Sequence, residues 1–273
     1  MFVSSTRSTL HCATLCEQQE CCDIFTIDGD VCRGHSMLGM FNMSSFPNAS
    51  GARSFVRNWT GNKPRNCVQA QRYSNESGVV TIYPDDDNSG LKVYCDQDTD
   101  KGGWLVFQRR QDGSVDFYRD WNEYQQGFGC LQGELWLGLD ALHMLTSSQS
   151  YELRVDLMKF DGTKGYATYS DFTISDSSDD HRLGYGSFQN GSAGDSLRWH
   201  KGDRFSTWDA DNDRDSSNCA TSRHGAWWYV NCGKTNLNGR YKDIRVTGYD
   251  GIMWNDFDAF NSLKFSEMKM RPT

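Results

Sequence analysis

The cysteines constrain the fold of this chain more than any other feature. Ten occur among 273 residues: five lie within the first 32 residues, and none follows until Cys67. This change in density predicts a small module followed by a larger domain. Close cysteines can instead bind zinc, but the adjacent Cys21 and Cys22 suit no ordinary zinc site. Disulfides are therefore the favoured interpretation.

Two cysteine pairs further along have the spacing of disulfide-closed loops. Cys67 and Cys95 lie 28 residues apart, and Cys219 and Cys232 lie 13 apart. Disulfides persist in oxidising compartments. Five N-x-[ST] glycosylation triplets point the same way: they begin at Asn42, Asn48, Asn58, Asn75 and Asn190. We therefore expect a secreted, extracellular glycoprotein. The opening MFVSSTRSTL lacks the apolar stretch of a signal peptide, so we expect the precursor's own amino terminus to be missing from this sequence.

Charge and hydropathy argue against two classes of partner. The net charge of −8 argues against nucleic acid, whose phosphates attract basic proteins. The chain has no run of 18 apolar residues, so we expect no membrane span. Aromatic residues are abundant, with 9 Trp, 12 Tyr and 15 Phe, and they must fill a core or line a surface site.

Residues 1–57 have the pattern of a small α+β module. The stretch STLHCATLCEQQ (8–19) predicts a helix with Cys12 and Cys16 on one face. The following CCDIFTIDGDVC predicts a strand, a turn at Asp28-Gly29 and a second strand. This arrangement resembles the PAN/apple module, in which a helix is stapled to a small sheet. The resemblance implies two disulfides: Cys12–Cys32, and Cys16 with either Cys21 or Cys22.

Residues 58–66 (NWTGNKPRN) are typical of a linker and separate this module from a domain that spans 67–273. The pairings above leave Cys130 and one of Cys21 and Cys22 over. Because the number of cysteines is even, we expect these two to form a disulfide that joins the two modules. Each could instead form a disulfide with another chain. A disulfide-linked homo-oligomer and a non-covalent one therefore both remain alternatives for this chain. No collagen-like G-X-Y run or coiled coil is present to trimerise the chain.

The first half of the larger domain has clear periodicity. Residues 102–110 predict a strand, and 151–160 predict another because apolar and polar residues alternate there. Residues 117–129 and 138–148 predict short helices. Periodicity fades after about residue 184, and the chain becomes rich in loops. A long loop region in a compact domain is usually the functional part.

Four carboxylates alternate in DADNDRDSSNC: Asp209, Asp211, Asp213 and Asp215. Such close negative charges need either full solvation or a cation among them. An EF-hand loop is excluded, because counting from Asp209 gives Arg214 at its glycine position and Ala220 at its glutamate position. A hard cation such as Ca²⁺ could still bind carboxylates and backbone carbonyls here. An ion-free polar loop is the alternative.

Six motifs of residues 67–273 resemble the fibrinogen-related domain in order and spacing: VYCDQDTDKGGWLVFQRRQDGSVDFYRDWNEYQQGFG, GELWLGLDALHMLT, DADNDRDSSNCA, GAWWYVNC, NLNGRY and LKFSEMKMRP. The family includes ficolins, tachylectins, angiopoietins and the fibrinogen chains. The resemblance implies an α+β fold, in which a central antiparallel sheet with helices precedes a loop-rich, ligand-binding subdomain.

The resemblance also implies a structural calcium site in the acidic loop. Asp211 and Asp213 would contribute side-chain oxygens, and Asp215 and Ser217 would contribute backbone carbonyls. Asp209 matches a family residue outside the first coordination shell. The bound cation would offset the repulsion between the carboxylates and order the loop that leads into Cys219.

A ligand pocket beside the calcium loop is the third implication. The peptide Asn231–Cys232 is expected to be cis, with the backbone N–H groups of Cys232 and Gly233 facing a ligand's acetyl oxygen. Tyr249 and Phe260 match the positions of an aromatic cup for the acetyl methyl group. Phe257 competes with Phe260 for this role, and the aromatic residues could instead be ordinary core.

Two positions depart from the acetyl-binding members of the family. Gly233 stands where they usually have His, and Arg223 stands where several have Tyr. Loss of the His removes apolar contact with an acetyl group. Arg223 adds a cation that could favour an acidic glycan such as sialic acid, or it could be a solvated surface residue.

The sequence favours a binding protein over an enzyme. It lacks G-x-S-x-G and H-E-x-x-H motifs, its histidines are scattered, and His143 on a predicted helix reads as a packed residue. We expect a secreted, calcium-dependent lectin for acetylated or acidic glycans, of the kind used in innate immunity. The alternative is a receptor ligand or adhesion protein, similar to angiopoietins, whose same face binds a cell-surface protein. A fibrin-like peptide pocket ranks last, because Arg223 has the wrong charge for a peptide amine.

Overall fold

The computed structural model describes residues 63–85 and 90–273 with their side chains, and the backbone of three strands nearer the amino terminus. These strands form an antiparallel sheet in the order β1-β3-β2: β1 Phe2–Ser5, β2 Ile24–Asp28 and β3 Val31–His35. The two strands predicted here are confirmed, because Ile24–Asp28 pairs with Val31–His35, while the predicted turn lies outside the described residues. The helix predicted over 8–19 lies outside the described residues, as do the side chains of Cys12, Cys16, Cys21 and Cys32.

A nine-stranded sheet forms the centre of the larger domain, and its strand pairs are antiparallel. Seven strands follow the order β13-β10-β9-β16-β6-β5-β4, and β8 joins β6 to β7. The bounds are β4 Gly78–Ile82, β5 Leu91–Asp96, β6 Trp104–Arg110, β7 Phe128–Gly129, β8 Leu135–Trp136, β9 Tyr151–Met158, β10 Lys164–Tyr169, β13 Phe188–Asn190 and β16 Phe265–Pro272. The carboxy-terminal strand β16 thus lies in the middle of the sheet, between β9 and β6.

The predicted strands of the larger domain are confirmed. In β9 every second side chain is buried, from Tyr151 to Leu157, as the alternation of its residues predicts. All seven residues of β6 are buried, so this strand is covered on both faces. The observed α+β architecture with a large antiparallel sheet agrees with the fold that the resemblance implies.

Short helices flank the sheet: α1 Cys67–Gln71, α2 Trp121–Gln126, α3 Leu139–Ser148, α4 Cys219–Arg223 and α5 Asn255–Asp258. Helix α2 is shorter than the predicted 117–129 because Asp120 and Glu123 form a capping box at its start. Gly127, with φ +92°, ends it. His143 on α3 is half-buried, and its Nδ1 lies 2.9 Å from the carbonyl oxygen of Ile174, so it packs as predicted.

The region after residue 184 consists mainly of loops, as the sequence predicts. Besides β13, β16, α4 and α5, its regular elements are β14 Thr235–Asn236, β15 Met253–Trp254 and a 3-10 turn at Leu197–Trp199. The two short strands before it are β11 Thr173–Ile174 and β12 Leu183–Gly184, and further 3-10 turns lie at Thr99–Lys101 and Ser177–Asp179. Large aromatic residues hold the loops together. Trp227, Trp228 and Trp254 are fully buried, and the first two pack edge to face.

Both disulfides predicted for the larger domain are formed, Cys67–Cys95 and Cys219–Cys232. Cys130 is also disulfide-bonded, to a partner outside the described residues. Among the residues that the structure describes, no helix has the length and hydropathy needed to cross a membrane.

Candidate functional site

The acidic loop folds through its own aspartates. The carboxylates of Asp211, Asp213 and Asp215 each accept a hydrogen bond from the backbone N–H two residues further on, with N to O distances of 3.4, 2.8 and 3.0 Å. Aspartate favours this local turn because its short side chain reaches its own backbone. The second oxygen of Asp213 accepts a hydrogen bond of 2.8 Å from the backbone N–H of Cys219. The loop is thereby joined directly to the first residue of α4.

The donor groups of this loop suit a hard cation. Burial raises the pKa of Asp213, and the neighbouring Asp211 carboxylate raises it further. In residues 63–85 and 90–273, no Lys or Arg forms an ion pair with Asp211, Asp213 or Asp215. Two adjacent, uncompensated carboxylates next to turn carbonyls are the ligands that Ca²⁺ prefers.

Asp209 has a different role from the other three aspartates. Its Oδ1 accepts hydrogen bonds from the backbone N–H of Trp121 at 3.0 Å and from the Thr207 hydroxyl at 2.7 Å. It therefore connects the loop to the start of α2. This arrangement agrees with the inference that Asp209 lies outside a cation's first shell.

Helix α4 leads from the acidic loop to the predicted ligand pocket. Asn218 caps it by accepting a 3.0 Å hydrogen bond from the N–H of Thr221, while the Asn218 amide donates to the carbonyls of Thr207 and Trp208. Arg223 is the last helical residue. Five residues of regular helix, Cys219–Arg223, therefore connect the acidic loop to Arg223.

The cis peptide expected at Asn231–Cys232 is wrong, because the described residues contain only trans bonds. Instead, Cys232 and Gly233 both have positive φ, +54° and +70°. Two consecutive left-handed residues reverse the chain here without the free-energy cost of a non-proline cis bond. Within the described part of the chain, the backbone N–H groups of Cys232 and Gly233 have no hydrogen-bond acceptor. These two donors are available to a ligand.

A histidine that sequence reasoning missed lies beneath Gly233. A Cβ at Gly233 would lie 2.1 Å from the ring of His200, so only glycine fits there. His200 is fully buried, and its Nε2 accepts the backbone N–H groups of Lys234 and Thr235, each at 3.1 Å. Its Nδ1 lies 2.8 Å from the Trp228 carbonyl oxygen. Burial lowers the pKa of His200 to about 4, and Arg223 adds to this effect, so the imidazole is neutral.

The aromatic pair of the predicted cup is Tyr249 and Phe260. Their ring centroids lie 4.9 Å apart at an interplanar angle of 59°, and Tyr249 is 53% exposed. The competing Phe257 lies elsewhere, against Gly165 and under the Lys159 ammonium. Phe260, and not Phe257, thus lies beside Tyr249, whose ring is exposed at the surface.

Two cations lie over these rings. The Arg223 guanidinium is 4.5 Å from the centroid of Tyr249, and the Lys234 ammonium is 5.0 Å from that of Phe260. Sequence reasoning named Arg223 but missed Lys234, although Lys234 directly follows Gly233. We call the six predicted residues together with Lys234 the ligand pocket: Arg223, Asn231, Cys232, Gly233, Lys234, Tyr249 and Phe260.

A separate cavity of about 490 Å³ borders His224, the residue after α4. The His224 ring stacks on Tyr118 at a centroid distance of 4.1 Å and contacts Arg240. One wall of the cavity is the loop 111–115, whose N–H groups bind the buried Glu134. The sequence analysis did not predict this cavity, because its lining residues belong to segments far apart in the chain.

The fold and the site together define a fibrinogen-type globular domain. Residues 63–273 match the family described as "Fibrinogen beta and gamma chains, C-terminal globular domain", and the chain belongs to that family. It is 46% identical over 220 residues to Fibrinogen C domain-containing protein 1-B of Xenopus laevis. The match covers 78% of this chain and 48% of that protein. The chain thus spans about half the length of the curated relatives it matches.

Solved structures of related domains agree with this assignment. The fibrinogen-like globe domain of human ANGPTL6 superposes with a TM-score of 0.73 at 39% identity, covering 78% of this chain and 98% of that domain. The human ANGPTL2 domain gives 0.73 at 40% identity, covering 77% and 99%. Lamprey fibrin D-dimer, in complex with the peptide ligand Gly-His-Arg-Pro-amide, gives 0.72 at 33% identity, covering 82% and 78%.

Proposed function

We propose that this chain is part of a secreted, calcium-dependent, lectin-like recognition protein that binds acetylated or acidic glycans through the ligand pocket. One observation carries the proposal: Lys234, which directly follows the free N–H donors of Cys232 and Gly233, lies over Phe260 of an aromatic pair whose other ring, Tyr249, lies under Arg223. Convergent donors beside an apolar surface are the usual means of recognising a polar group attached to an apolar one.

In this proposal each part of the pocket has one task. The two N–H groups donate to the carbonyl oxygen of a ligand's acyl group. Tyr249 and Phe260 pack against its methyl group and sugar ring. When bound, Ca²⁺ would supply a fixed positive charge for the side chains of Asp211 and Asp213 and the carbonyls of Asp215 and Ser217. Because Asp213 also accepts the N–H of Cys219, an ordered loop holds α4, and thereby Arg223, in place.

We also propose that the protein acts by binding alone. His200, whose ring lies against Gly233, is buried and uses both ring nitrogens in structural hydrogen bonds. It has neither the access nor a free lone pair for proton transfer. Secretion is consistent with the formed disulfides.

A protein partner is the second candidate function. Three large apolar side chains on the loop before Phe260 are exposed: Ile244 at 66%, Val246 at 40% and Tyr249 at 53%. The loop is held in place, because Val246 and Ser262 exchange backbone and side-chain hydrogen bonds. An ordered apolar surface of this kind suits protein docking. The likeness to two angiopoietin-like domains is consistent with this candidate.

A glycan array distinguishes the two candidates. Purified, disulfide-intact protein is applied with calcium and again with a chelator. The lectin proposal predicts calcium-dependent signals on N-acetylated or acidic glycans, competed by the free sugar. If the folded protein leaves the array blank, the lectin proposal is wrong and the protein-docking candidate replaces it.

A further inference from the structure

The ligand pocket carries positive charge that the protein does not neutralise. In residues 63–85 and 90–273, neither Arg223 nor Lys234 forms an ion pair with a carboxylate, whereas most other arginines there do. The negative charge of Asp215 acts on Arg223 through space, but its carboxylate makes no hydrogen bond to the guanidinium. This local excess of cations stands out on a chain with a net charge of −8.

Arg223 also has an unsatisfied hydrogen-bond donor. Its Nη1 is shielded from solvent and has no partner among the described residues. A guanidinium donor that has lost water without gaining an acceptor raises the free energy of the unliganded protein. Tyr249 holds the group in place from one side through its ring face. The guanidinium is therefore held in place with one donor still unpaired.

The free backbone donors of Cys232 and Gly233 directly precede Lys234 in the chain and favour the same kind of ligand. A neutral acyl oxygen could accept the N–H of Cys232 or Gly233, but it would leave the charge of Arg223 unbalanced. An anionic oxygen accepts hydrogen bonds and balances the charge, and charge-assisted hydrogen bonds are roughly twice as strong as neutral ones. Lys234 lies over the second ring and adds a second positive charge.

Building on the proposed lectin function, we infer that the ligand pocket selects glycans that carry an anionic group, a carboxylate or a sulfate ester, and that Arg223 and Lys234 are the residues that select it. The rings of Tyr249 and Phe260 add a second requirement. The anionic group must be attached to a sugar or acyl group that packs on these rings. Lys234 thus becomes a specificity-determining residue.

Two pairs of probes test this inference, because each pair shares the N-acetyl group and differs in charge. N-acetylglucosamine is compared with its 6-sulfate, and the methyl glycoside of N-acetylneuraminic acid with its methyl ester. Affinities are measured by calorimetry with calcium present. We expect the charged member to bind about tenfold more tightly or better. The preference should weaken at high salt. The pair with the larger ratio shows whether sulfate or carboxylate is preferred.

The variants are chosen to keep the packing of the pocket. In the double variant Arg223→Met/Lys234→Met, linear side chains still cover the rings, so the ratio of charged-probe to neutral-probe affinity should fall to near one, whatever the change in absolute affinity. Arg223→Lys should retain part of the preference, because it keeps the charge but not the planar fork. Lys101→Met, in the turn Thr99–Lys101, removes the same charge elsewhere and should change nothing.

Three outcomes would overturn the inference. Equal binding of charged and neutral members by the wild type shows that the cations do not select. A preference that survives in the double variant shows that other residues select. In both cases the lectin function stands. If the folded protein binds no probe of either charge, the lectin proposal fails and the inference fails with it.

Discussion

At the scale of single residues, His200 shows how a pocket can depend on a group that never touches the ligand. The ring lies under Gly233 and accepts the two N–H groups of Lys234 and Thr235. A protonated imidazole has no lone pair left for those donors. The shape of the segment that carries the free N–H groups therefore requires a neutral His200.

This dependence predicts a fall in stability with acid. The folded pKa of His200 is about 4, below the ordinary value of 6.5, so between these values the unfolded state binds more protons. Stability is fully present above pH 6.5 and falls as the pH decreases toward 4. From pH 7 to pH 5 we expect a loss of about 2 kcal/mol from His200 in the free energy of unfolding. His181 and His224, whose pKa values burial also lowers, act in the same direction.

Urea unfolding at pH 7, 6 and 5 measures this loss. In His200→Asn the loss in free energy of unfolding between pH 7 and pH 5 should be smaller than in wild type. A wild-type stability that is flat over this range would contradict the assignment of a neutral, buried His200.

At the scale of elements, the central strand β16 depends on one buried cation. Lys269 is 2% exposed and contacts three carboxylates: Asp96 at 2.6 Å, Asp156 at 2.7 Å and Glu267 at 3.0 Å. Burial alone would raise the pKa of Asp96, but the hydrogen bond and charge of Lys269 hold it at about 2. The carboxy-terminal strand is thereby tied to β5 and β9.

Removing this cation should be costly. Lys269→Met leaves the buried Asp96 without its ion-pair partner, while Asp156 keeps Arg154 and Glu267 keeps Arg109, and we expect the free energy of unfolding to drop by about 3 to 5 kcal/mol at pH 7. Because Asp96 stabilises the fold only when ionised, the difference from wild type should narrow as the pH falls from about 4 to 2. Lys164→Met on the exposed edge of β10 is the control and should stay within about 0.5 kcal/mol. A loss below 1 kcal/mol in Lys269→Met would contradict this account.

The sequence predicted elements better than it predicted the site. Alternation predicted β9, and short helices were predicted where α2 and α3 lie, because these signals are local. The backbone at Cys232 was predicted wrongly, since a chain reversal can use either a cis bond or two left-handed residues. His200 and Lys234 were missed for another reason. His200 meets Gly233 only through tertiary packing, and a lysine beside a pocket residue looks like any solvated lysine.

At the scale of the whole molecule, we expect calcium to bind the folded protein and not the unfolded chain. A ligand that binds only the native protein stabilises it by mass action, by about 2.7 kcal/mol at 100 times its Kd. We expect calcium to raise the wild-type melting temperature, and Asp211→Asn/Asp213→Asn to lose that response. The amides keep the local turns but remove two anionic ligands. Asp209→Asn should respond like wild type; an unchanged response in the double variant would show that calcium binds elsewhere.

We propose that the calcium loop and the ligand pocket form one binding unit. The most direct test is the affinity for a sialylated or N-acetylated glycan, measured for wild type and Tyr249→Ala, each with calcium and with a chelator. We predict that wild type loses at least about tenfold in affinity on chelation and that Tyr249→Ala binds weakly in both conditions. Strong binding that survives both chelation and the loss of Tyr249 would place the recognition site elsewhere and contradict the account.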